Sequence, residues 1–127
     1  MENKFELREI EAQDLFRLST IISKIGINQF KALFKDGSFI KQYKDENTTA
    51  DEKRTLMLNM GLDIVDIIVT NIDKCEQPVY KFLAGLIDKK ESEVQHMKGA
   101  DFIQLLTEVF TKEEFKDFFK AALRSRK

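Results

Sequence analysis

Asp63 and Asp66 stand three residues apart. On a helix they share a face, and two carboxylates on one face are the least that general acid–base chemistry requires. They belong to a longer series, because Asn59, Asp63, Asp66, Thr70 and Asp73 follow one another by four, three, four and three residues. At about 100° per residue all five fall within an arc of roughly 80°. Apart from Asn71 and Gly61, the other residues between Leu56 and Asp73 are Leu, Met, Ile and Val. Two acids on the polar stripe of an otherwise apolar helix are explained by solvation.

The remaining chemistry-bearing residues are isolated. His96 is the only histidine and Cys75 the only cysteine. Zinc needs about four ligands, and no clustered Cys or His set provides them. A Cys–His nucleophile would require these two residues to meet in space, and a packed thiol with a surface imidazole is the simpler reading. The glycines, Gly26, Gly37, Gly61, Gly85 and Gly99, are too scattered to cradle a phosphate. No serine or threonine sits in a recognisable setting with a histidine. The chain is therefore expected to be no enzyme and to need no cofactor or metal. Arg124, Arg126 and Lys127 close the sequence, where cations suit the negative end of a helix. With a net charge of -1 overall, neither nucleic acid nor an anionic membrane is an expected partner. A single cysteine excludes an internal disulfide and fits a reducing compartment. No apolar run approaches the roughly 18 residues of a membrane span, so a soluble, cytoplasmic protein is expected.

The elements that must position these residues are helical. Hydrophobic residues make up 43% of the 127-residue chain and charged residues 34%, with one proline, which fits one globular, helix-rich domain. Residues 1–11 read as an N-terminal arm, with Phe5, Leu7 and Ile10 interleaved among charges. Asp14 is placed to cap a helix carrying Leu15, Leu18, Ile22 and Ile25, and Gly26 to end it. A short amphipathic piece follows with Phe30, Leu33 and Phe34. The polar stretch 35–50 lacks periodicity and reads as a mobile loop. Thr49 or Asp51 is placed to cap the Leu56–Asp73 helix, which reads as the centre of the fold because so much of its surface needs covering. Pro78 suits a first helical turn, and Val79, Phe82, Leu83, Leu86 and Ile87 keep helical spacing. So do Phe102, Leu105, Leu106, Val109 and Phe110, with Asp101 a candidate cap, and Ser92–Met97 can add a helical turn. Thr111–Glu114 has the pattern of a capping box ahead of Phe115, Phe118, Phe119 and Ala122. The expected fold is all-α, a single domain spanning 1–127 with about five or six helices.

Eleven phenylalanines without a tryptophan is an unusual count, and Phe110, Phe115, Phe118 and Phe119 crowd one region. Core packing explains them; a sharper reading makes part of the cluster a docking patch for a partner's helix. These four are the candidate partner-binding residues.

Two stretches resemble the small tail assembly chaperones of long-tailed, siphovirus-type bacteriophages and related prophages. In Phe5–Gly26 the similar pattern is an apolar-Arg arm, then Asp14-Leu15-Phe16, then Leu18 to Lys24-Ile25-Gly26. In Val79–Ala122 it is Phe82-Leu83-Ala84-Gly85-Leu86, a polar stretch with Glu91–Val94, Phe102-Ile103, and Phe115-Lys116-Asp117-Phe118-Phe119-Lys120. The resemblance implies a non-enzymatic helical protein of the host cytoplasm, absent from the finished particle. It would bind the tape-measure protein, keep that protein's apolar helices from aggregating, and help recruit tail-tube subunits. Self-association into dimers or larger rings is one way to cover an apolar helix. Two other classes compete: a structural virion component such as a head–tail connector, and a small helical DNA-binding regulator.

Overall fold

Periodic apolar residues become helices throughout the residues that the computed structural model describes, which are 5–31, 45–112 and 115. In chain order they are α1 (Ala12–Ile25), α2 (Ile27–Lys31), α3 (Ala50–Thr70), α4 (Ile72–Ile87), α5 (Glu91–Gln95) and α6 (Gly99–Phe110). No strand occurs among the described residues. The fold is all-α, as the patterning implies. Residues 35–44 of the polar loop, Leu33, Phe34, Glu113, Glu114, Phe118, Phe119 and the cationic C-terminus lie outside the described residues.

The caps follow local chemistry, with two shifts from expectation. Glu11, not Asp14, is the N-cap of α1. Asp14 is the third residue of the helix and accepts the Glu11 N–H at 2.8 Å, closing the box from inside. In the same way Asp101 lies within the first turn of α6, whose N-cap is Lys98. Thr49 does cap α3: its hydroxyl accepts from the Glu52 N–H at 3.1 Å while Glu52 accepts from the Thr49 N–H at 3.3 Å. Gly26 ends α1 at φ 112°, a value that favours glycine, and its N–H donates to the Ile22 carbonyl at 2.8 Å.

The Leu56–Asp73 helix does not continue to Asp73. It stops at Thr70, and the chain turns by 118° at Asn71 into α4. Asn71 is buried and supplies the fixings for that turn. Its side-chain amide donates to the Ile67 carbonyl at 2.8 Å and to Gln29 Oε1 at 3.0 Å, and accepts from Gln29 Nε2 at 3.3 Å. A second irregularity follows at Cys75, whose backbone (φ -139°, ψ 20°) is not helical. Pro78 therefore falls in the first turn beyond a kink, where its missing N–H leaves nothing unpaired.

The centre of the molecule is α4 rather than α3. It packs against α1 along one side and α5 along another, while α3 packs chiefly on α6. Val79, Phe82, Leu83, Ala84 and Leu86 of α4 are buried against Leu18, Ile21, Ile22 and Ile25 of α1, Val94 of α5, and Leu105, Leu106, Val109 and Phe110 of α6, in one continuous core. Each large side chain so buried contributes about 1.5–3 kcal/mol. Among its described side chains, helix α3 buries Met60, Gly61, Ile64, Val65 and Ile68, which lie on one face. At Gly61 the helices touch backbone to backbone: a Cβ there would collide with the Phe110 carbonyl and lie 2.8 Å from Thr111 Cγ2.

The arm is extended and docked. The Arg8 N–H donates to the Leu86 carbonyl at 3.0 Å and the Phe5 N–H to Glu108 Oε1 at 2.9 Å. Phe5, Leu7 and Ile10 lie half-buried on the core.

Candidate functional site

Reactive side chains do not converge among the described residues. Asn59, Asp63, Asp66 and Thr70 are exposed along α3, and Asp73 is exposed in the first turn of α4, beyond the bend. The polar stripe thus faces solvent, but its last member belongs to another helix. Cys75 is buried, its Sγ donating to the Asn71 carbonyl at 3.5 Å, and burial, reinforced by Asp73, pushes the thiol up to about 11. His96 is exposed at the end of α5 and bonds through Nδ1 to the Ser92 carbonyl at 2.9 Å. No group of three potential metal ligands occurs among the described residues.

Of the four candidate docking phenylalanines, two are placed, and both are core. Phe110 is 1% exposed and Phe115 2%. With Phe82 they form a triad: Phe82 and Phe110 stack with centroids 6.0 Å apart, and Phe115 meets them edge-on at 6.4 Å and 5.6 Å. Neither ring offers surface to a partner in this arrangement, because α4 and the end of α6 close over them. Phe118 and Phe119 lie outside the described residues.

One constellation was not anticipated from the sequence. Asp14 is fully buried and accepts two hydrogen bonds from the Arg8 guanidinium, at 2.7 Å and 2.9 Å. Burial alone would raise its carboxyl. The Arg8 and Glu11 hydrogen bonds, with the charges of Arg8 and Arg17, outweigh that and hold it below the usual carboxylate range. Gly85 lies under the site, where a Cβ would meet the Arg17 guanidinium and approach Arg8 to 3.2 Å, both movable side-chain ends. The pair clasps the arm to the domain: Asp14 is enclosed, while Arg8 also lines an open groove of about 710 Å³ with Phe5, Leu86, Asp88 and Glu93. Its signal was present in the sequence as an Arg–Asp pair six residues apart, but only the docked arm brings the two together.

The surface also offers apolar residues. Phe16 is 68% exposed at the rim of a groove of about 460 Å³ between α1, the start of α4 and α5, lined also by Arg17, Gln77, Pro78 and Lys81. On α3, Leu58, Leu62 and Val69 are 38%, 43% and 37% exposed. Spaced by four and seven residues, they share an arc of about 40°. This ridge runs beside the polar stripe. Periodicity could not separate it from the buried face, because both are made of the same residue types.

No single helix among the described residues is long and apolar enough to cross a membrane. Comparison of the chain with protein-family models, curated proteins and solved structures finds no match.

Proposed function

We propose that the chain is a tail assembly chaperone of a siphovirus-type bacteriophage or prophage. In this reading it acts in the bacterial host cytoplasm, holds the apolar helices of the tape-measure protein in solution, helps bring tail-tube subunits to it, and does not enter the mature virion. The sequence resemblance motivates the reading. The observation that supports it best is the apolar surface left on three helices, Phe16 on α1, Leu58, Leu62 and Val69 on α3, and Ile103 on α6. Single exposed apolar residues are ordinary on a folded protein. A ridge of three at helical spacing is what a carrier of amphipathic helices uses, and a reactive pocket has no part in that work. Self-association through the same surfaces is compatible with the role.

Co-expression with a tape-measure protein tests it. The soluble fraction of the tape-measure protein should rise several-fold, and purified particles should lack the chaperone. An unchanged soluble fraction, or stoichiometric presence in particles, would overturn the proposal, the latter in favour of a structural component such as a connector.

A further inference from the structure

The exposed ridge on α3 carries a charge bias that selects its occupant. From Thr55 to Thr70 the helix has two carboxylates, Asp63 and Asp66, and no lysine or arginine. Both carboxylates are exposed. Placed at about 100° per residue, Asp66 lies roughly 40° from Leu62 around the helix and Asp63 roughly 100°, both to the same side of the ridge. The last turn of α3 has no basic residue to offset the helix C-terminus, which adds partial negative charge beside Val69. The basic residues of α3, Lys53 and Arg54, sit near its start, and Arg54 faces Asp51 at 3.6 Å.

From Leu58 to Val69 the ridge is about 16 Å long, three helical turns. A helix laid along it meets leucine and valine in the middle and anionic groups along one edge. We infer that this face docks an amphipathic helix with an apolar stripe and a lysine- or arginine-rich flank, and rejects one with an acidic flank. Apolar contact supplies adhesion, and the carboxylates supply choice and orientation. The inference deepens the holdase reading by naming the seat and the chemistry of the segment it takes.

Two fluorescein-labelled synthetic helices of about 18 residues test it, with identical leucine stripes and either a lysine or a glutamate flank. Fluorescence anisotropy at low salt should show the lysine peptide binding the full chain about 10-fold more tightly. Added salt should erode that difference. Asp63→Lys with Asp66→Lys should reverse the preference, and Leu62→Asp, at a site already open to water, should remove binding of both peptides with the helical circular dichroism unchanged. Should Leu62→Asp unfold the chain, Leu58→Ser with Leu62→Ser replaces it. Equal binding of the two peptides, or a preference that survives the double charge reversal, would overturn the inference. So would wild-type self-association that Leu62→Asp abolishes without any peptide binding, which would give the face to a second copy. Tape-measure solubilisation that persists in Leu62→Asp while both peptides fail to bind sinks this seat but not the holdase role. A clear peptide preference without solubilisation does the opposite.

Discussion

Gly61 is the residue on which the α3–α6 packing turns. Because its missing side chain lets the helices meet at the Phe110 carbonyl, Gly61→Ala must push backbone against backbone. A cost of about 1–3 kcal/mol is expected, read as a lower urea midpoint. Gly99 has open space around its Cβ position, so Gly99→Ala should change stability by no more than about 1 kcal/mol, in the stabilising direction. Asp14 gives the second expectation at this scale. Its folded carboxyl titrates below the ordinary value of 3.8. The ionised form therefore stabilises the fold, fully above the ordinary carboxylate range, and that contribution disappears as pH falls through the lower folded value. Urea midpoints should drop as pH falls below the ordinary carboxylate range, and Asp14→Asn should be less stable at neutral pH with a shallower acid slope. Arg8→Ala should cost about 2–3 kcal/mol at neutral pH, below a fully enclosed pair because the Arg8 side chain is 27% exposed.

At the scale of elements, the bend between α3 and α4 rests on Asn71. Asn71→Leu keeps the branching but loses the reciprocal bonds with Gln29 and the bond to Ile67, at an expected cost of about 1–2 kcal/mol. Asn71→Asp should cost more, since a carboxylate would face the Ile67 carbonyl that the amide now bonds. Denaturant titrations of the two variants rank them. This bend also marks where the sequence stopped being readable. The stripes of α1, α4 and α6 could be read because each has a single well-defined apolar stripe, and the burial of Leu18, Ile22, Phe82, Leu83, Leu105 and Val109 follows the spacing. Helix α3 has apolar residues on nearly every side, so its pattern says neither which side is covered nor where the helix ends. One asparagine among aliphatic residues is a weak mark for a break, and it gains meaning only once Gln29 of α2 is opposite it. The burial of Phe110 and Phe115 was not legible, because the ring of Phe82 that receives them comes from elsewhere in the chain.

For the molecule as a whole, the arm joins what is far apart. The bond from Phe5 to Glu108 spans 103 residues, and the Arg8 backbone reaches Leu86. Closing a loop that long costs entropy before any contact repays it. Removing residues 1–10 should leave the helices in place, as judged by circular dichroism, but lower the urea midpoint by at least as much as Arg8→Ala does. The same span sets an order of events during synthesis. Glu108 leaves the ribosome long after Phe5, so the arm has no complete seat while translation runs and can settle only when α6 has emerged. Proteolysis of ribosome-stalled chains should cut the arm readily when the emerged portion stops short of α6, and poorly once α6 is out. Protection of the arm thus reports that α6 has emerged.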